Sequence, residues 1–142
     1  MDVVTALEIS TIVGATALLF YIGFISLPVL YAFEAIPDEP DMVVEVIARQ
    51  WVWEFRYPDG SVSDRLTVKA GDVVKLVLTS EDVIHSFFVH DLAFKIDVIP
   101  GRVVEVWMQP DRPGEYWIQC AEFCGKFHGS MRTRLVVEPK DI

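Results

Sequence analysis

The chain has 142 residues, 52% of them hydrophobic, and a formal charge of −9. That length holds one modest domain and an appendage. The acidic balance excludes nucleic-acid binding through phosphate contacts; it serves solubility or steers a basic soluble protein partner.

The apolar excess lies near the start. Residues 9–33 carry no charged side chain between Glu8 and Glu34. A bilayer core needs roughly 20 apolar residues as a helix, so this run predicts one membrane span with some tilt. A cleaved signal peptide would have a shorter apolar core of about 7–15 residues behind a basic stretch, and nothing before Thr5 is basic. No Lys or Arg flanks the run, so the positive-inside rule does not orient it.

Three regions follow: an anchor over 1–33, an acidic linker over 34–41 punctuated by Pro37 and Pro40, and a domain over 42–142. All 12 basic residues lie after the anchor, with 19 of the 21 acidic ones. The chain lacks asparagine and has three glutamines, a depletion of thermolabile amides that points to a hot habitat.

From Met42 onward the texture is β. Segments 42–49, 51–57, 73–79, 103–109, 115–119 and 132–138 are rich in Val, Ile, Thr and aromatics. In one of them Val104, Val106 and Met108 alternate with Glu105 and Trp107. Turn chemistry separates the segments at Pro58-Asp59-Gly60, Ala70-Gly71-Asp72, Pro100-Gly101 and Arg112-Pro113-Gly114. Short strands at this spacing predict a β-sandwich or small barrel.

The chemistry concentrates in one loop. Cys120, Cys124, His128 and Met131 fall within 12 residues, and His85 lies upstream. Thiolate and thioether are soft donors that suit copper, while imidazole suits copper and zinc. A one-copper electron-transfer site needs two His, one Cys and a long axial Met; His85, Cys124, His128 and Met131 already supply these. Cys120 is then the extra ligand. Two thiolates on a short loop can bridge two coppers, each taking one imidazole, with Met131 and a loop carbonyl in the weak positions. Zinc on two Cys and two His is an alternative that gives Met131 no role. A Cys120–Cys124 disulfide is another, and it leaves His128 and Met131 without purpose. His90 belongs to no motif and reads as an ordinary exposed or core imidazole.

The stretch Cys120-Ala-Glu-Phe-Cys124-Gly-Lys-Phe-His128-Gly-Ser-Met131 resembles the CuA signature of cytochrome c oxidase subunit II. The resemblance extends to Asp82-Val-Ile-His85-Ser-Phe87, Lys95-Ile-Asp97-Val-Ile-Pro100-Gly-Arg102, Arg112-Pro-Gly-Glu-Tyr116 and Gln50-Trp51-Val-Trp53-Glu-Phe55-Arg-Tyr57. It implies a mainly β, cupredoxin-like Greek-key β-sandwich with one N-terminal transmembrane helix. It implies a binuclear copper centre bridged by Cys120 and Cys124, with His85 and His128 as terminal ligands. Met131 would bind one copper and the Glu122 carbonyl the other. The Glu122 side chain would help hold a magnesium ion at the interface with the catalytic subunit I, near Lys95 and Asp97. Trp51 matches an exposed aromatic where electrons arrive from cytochrome c; its ordinary reading is a core Trp in a strand.

Val52 stands where the family usually has an aromatic, which leaves a small copper protein open as the donor. A single helix resembles the short subunit of some prokaryotic oxidases, in which Glu8 would sit at a proton-channel mouth; a solvated helix-end carboxylate is the alternative. The implied place is the cell (plasma) membrane of a prokaryote, single-pass, with the copper domain outside the cytoplasm. The implied role is to pass electrons to haem in subunit I for oxygen reduction coupled to proton translocation. Other readings are a tethered one-copper cupredoxin, a zinc-stabilised module, and the electron-accepting domain of a nitric or nitrous oxide reductase.

Overall fold

A computed structural model describes residues 2–140. The chain divides into two compact units, one ending at Ile36 and the other beginning at Pro37. The first is helix α1, Val3–Glu34. Asp2 caps it, its carboxylate accepting the Thr5 N–H at 2.8 Å, which satisfies one of the free amides of the first turn. Ser10 and Thr11 donate their hydroxyls to the carbonyls of Ala6 and Leu7, so these polar groups are satisfied within the helix. Val3–Ala32 is long and apolar enough to cross a membrane, and none of it is buried inside the protein.

The second unit is a two-layer β-sandwich. Its strands are β1 (Met42–Arg49), β2 (Val52–Arg56), β3 (Val62–Ser63), β4 (Leu66–Lys69), β5 (Val74–Ser80), β6 (His85–Val89), β7 (Phe94–Val98), β8 (Val104–Met108), β9 (Gly114–Cys120) and β10 (Arg132–Glu138). One sheet runs β3-β2-β1-β5-β8 and the other β4-β10-β9-β6-β7. Both are mixed: β1 pairs parallel with β5 and β4 parallel with β10, while the other pairings are antiparallel.

Alternation builds the core. Val44, Val46 and Ala48 of β1, Val74, Leu76 and Leu78 of β5, and Leu135 and Val137 of β10 all point inward. Between the sheets Phe87 meets Trp53, Phe55 and Phe94 edge-on, at centroid distances of 5.5, 6.5 and 6.2 Å. Edge-to-face packing of this kind adds to area burial, and it centres on a residue two positions from His85.

Four strands escape the sequence pattern: β3, β4, β6 and β7. Strand β6 is buried on both faces at Ser86 and Phe87, so it shows no polar–apolar alternation. β3 and β4 have two and four residues, too short for a period to show.

Candidate metal centre

His85 opens β6 and Cys120 closes β9; the register pairs Phe87 with Cys120, so both ligand types come from neighbouring strands of one sheet. The loop after Cys120 then returns to β10. The Cys120 N–H donates to the Met131 carbonyl at 3.0 Å, and the Ala121 N–H to the Ser86 carbonyl at 3.0 Å. Within the loop the His128 N–H donates to Gly125, Ser130 to Phe127 and Met131 to His128. The loop is therefore closed at its base and folded on itself.

His85, Cys120, Cys124 and Met131 are buried; His128 is half-buried. Both cysteines are free thiols, 3.7 Å apart at sulfur. His85 Nδ1 lies 3.8 Å from Cys120 Sγ, and His128 Nδ1 lies 3.4 Å from Cys124 Sγ. The Glu122 carbonyl accepts from Cys120 Sγ at 3.2 Å, and Met131 Sδ lies 3.7 Å from Cys124 Sγ. Each sulfur thus has its own imidazole and its own weak donor. His85, Cys120 and Cys124 offer ligand atoms within 4.8 Å of one another, enough to hold a metal ion. His128 approaches from the Cys124 end.

Burial pushes the Cys124 thiol up to about 12, helped by its hydrogen bond to Cys120 and the charge there. A thiolate in this pocket therefore needs a metal cation to displace its proton.

Asp82 fixes the His85 ring. Its Oδ1 lies 2.8 Å from His85 Nε2, and it accepts N–H bonds from Gln50 and Val83, both at 2.6 Å. Burial alone would raise its pKa, but the bond to His85 and the two amides outweigh this and lower it. With Nε2 engaged, Nδ1 is the nitrogen left facing the sulfurs, the usual second-layer device of metal-bound histidines.

Trp51 is half-buried. Its Nε1–H donates to the Cys124 carbonyl at 3.2 Å, and its ring meets Phe127 edge-on at 4.8 Å. Gln50 Nε2 donates to the same carbonyl at 2.8 Å. Gly125, at φ +117°, passes so close that an added Cβ would meet Gln50 Nε2 at 2.9 Å and the Trp51 ring at 3.3 Å. Only glycine fits there. Val52 is exposed. Glu122's carboxylate lies 3.2 Å from Lys95 Nζ, which also holds Asp97 at 2.7 Å. The Asp97 bond, against some desolvation and with help from Glu122, raises the Lys95 pKa.

Sequence reasoning missed Gln50 as a support for the loop and Asp82 as the anchor of His85. Asp82 carries a signal, a carboxylate three residues before a candidate ligand; Gln50 carries none, because its partner is 74 residues away. His90 opens a short 3-10 turn beside Phe88. Glu8 is an exposed residue of α1.

The family described as "Cytochrome C oxidase subunit II, periplasmic domain" matches residues 60–139, more than half the chain. A cytochrome c oxidase subunit 2 of Thermostichus vulcanus is 45% identical over 72% of this chain and 32% of its own length. The periplasmic domain of oxidase subunit II (CoxB) of Bradyrhizobium japonicum superposes with a TM-score of 0.67 at 29% identity, covering 74% of this chain and 88% of that one. A chain in the structure of a haem–copper terminal oxidase dimer superposes at 0.65 and 28% identity, covering 91% of this chain and 99% of that one. The chain spans 58% and 32% of the length of two of the curated relatives it matches. With its mixed-sheet sandwich and the thiol–imidazole cluster at one end, the chain belongs to the cytochrome c oxidase subunit II family.

Proposed function

We propose that this chain is the electron-accepting subunit of a membrane-bound terminal oxidase. Cys120 and Cys124, with His85 and His128, would hold a pair of coppers. Met131 and the Glu122 carbonyl would be the weaker donors. The observation that carries this is the paired donor set: one imidazole and one weak donor at each of two neighbouring sulfurs. A single tetrahedral ion would draw both imidazoles to one point, whereas His128 stands at the Cys124 end of the pair.

Copper held by these two thiolates and two imidazoles would supply one-electron storage. The chain's residues do the rest. Burial keeps water from the sulfurs, Asp82 aims His85, and Gln50 and Trp51 hold the Cys124 carbonyl. Trp51 would meet a soluble donor, a cytochrome c or a small copper protein, and His128 would face the haem-bearing subunit I. Residues 1–33 would anchor the chain in the plasma membrane of a prokaryote, residues 34–41 would link, and residues 42–142 would lie outside the cytoplasm. Oxygen reduction and proton translocation would belong to subunit I. The superposition on a chain of a haem–copper oxidase dimer supports this assembly.

Metal counting and spin resonance on the copper-loaded full-length chain test the reading. Two coppers per chain sharing one unpaired electron are expected. Cys120→Ser and Cys124→Ser should each abolish that shared signal while leaving the β-sandwich folded. One copper per chain, a colourless zinc protein, or an intact two-copper signal in either variant would refute it.

A further inference from the structure

The magnesium ion that the resemblance places at Glu122, on the side facing subunit I, meets a carboxylate that in this chain is already engaged by a cation. Magnesium demands about six oxygens at roughly 2.0–2.1 Å. The two carboxylates here, Glu122 and Asp97, both point at one ammonium, Lys95 Nζ, at 3.2 and 2.7 Å. A dication bound to the same Glu122 carboxylate would stand beside that like charge.

We propose that the Lys95 ammonium is the resident cation of Glu122, and that through this pair it positions the loop carbonyl facing the Cys120 sulfur. The proposal rests on the two-copper reading above. Three placements carry it. Lys95 and Asp97 sit on β7, opposite Phe88 and Ser86 of β6, the strand that delivers His85. Glu122 is 27 residues from Lys95 and lies in the metal loop itself. Its carbonyl is the oxygen 3.2 Å from Cys120 Sγ. The ion pair therefore ties the free side of the loop to the hairpin under His85, while Gln50 and Trp51 hold the opposite side at the Cys124 carbonyl. Lys95 touches no metal in this arrangement; it is a positioning residue.

The test uses the copper-loaded full chain, titrated with Mn²⁺ as a paramagnetic stand-in for magnesium and followed by spin resonance and copper reduction potential. In the native sequence, Mn²⁺ should bind without stoichiometry and leave the copper signal unbroadened. Lys95→Met should move the copper hyperfine pattern and reduction potential. It should also raise Mn²⁺ affinity about tenfold, because a like charge has gone. Lys95→Arg should restore the native copper signature. Stoichiometric, copper-coupled Mn²⁺ in the native chain would overturn the proposal. So would an unchanged copper spectrum and potential in Lys95→Met. Fewer than two coppers per native chain would instead overturn the relay reading, which keeps the two failures apart.

Discussion

The two units handle apolar side chains in opposite ways. In α1, Leu19, Phe20 and Phe24 are 70%, 76% and 79% exposed; the helix satisfies its backbone by itself and leaves its side chains to whatever surrounds it. In the β unit, Phe55, Phe87 and Leu76 are fully enclosed, and the backbone depends on partners far along the chain. The first pattern suits a lipid solvent, where backbone bonds must close locally. The second suits a rigid scaffold that places ligands from β6, β9 and the loop to within a few ångströms.

Truncation at equal chemistry breaks this comparison most strongly. Phe87→Ala removes the ring on which Trp53, Phe55 and Phe94 converge, and should destabilise the β unit by about 3–5 kcal/mol. Leu19→Ala in α1 should leave the unfolding of the β unit unchanged. Chemical denaturation of the full chain in detergent, followed by Trp fluorescence, reads both. A Phe87→Ala loss below about 1 kcal/mol would mean that the aromatic cluster does not stiffen the ground beneath His85.

What sequence reading recovers follows the same division. The helix is legible because one variable, apolar run length, decides it; the structure begins it earlier, at Val3, because Asp2 can cap it. β1, β2, β5, β8, β9 and β10 are legible from alternation. β6 is not, because it is enclosed on both faces and therefore lacks a polar stripe; β7 does alternate, Phe94, Ile96 and Val98 against Lys95 and Asp97, and escapes the sequence reading all the same. Four of the candidate donors, Cys120, Cys124, His128 and Met131, stand out by their spacing in one loop. Their supports do not: Gln50 to the Cys124 carbonyl and Lys95 to Glu122 join residues 74 and 27 positions apart, and only the register brings them together.

A smaller effect separates the two imidazoles. His85 is fully buried and braced by Asp82. His128 is half-buried on the loop, with Phe123 edge-on at 5.8 Å. Asp82→Asn keeps the shape but removes the charge that orients His85, and loss of such a partner typically costs 10–100-fold in metal affinity. Competition with a copper chelator should show that loss, whereas Phe123→Leu at the other imidazole should change affinity less than threefold, about 0.6 kcal/mol. Equal losses at the two ends would remove the distinction.

The last effect is a pH dependence confined to the β unit and to the metal-free state. Burial, the hydrogen bond to Cys120 and the charge there raise the Cys124 thiol from an ordinary 9.0 to about 12. In the unfolded chain the thiol loses its proton near 9, while the folded chain keeps it until near 12. Between those values the unfolded state binds fewer protons, so stability falls as pH rises. Below 9 both states hold the proton, and Cys124 adds no slope. Urea unfolding of the metal-free chain from about pH 8 to pH 11 should therefore show a midpoint that declines above roughly 9. In Cys124→Ser that decline should flatten, since serine does not titrate in the window. Copper should also suppress it, because the metal's charge removes the thiol protons on binding. A midpoint that declines equally in the serine variant would assign the slope to other groups and leave the Cys124 pocket without the proton affinity described for it.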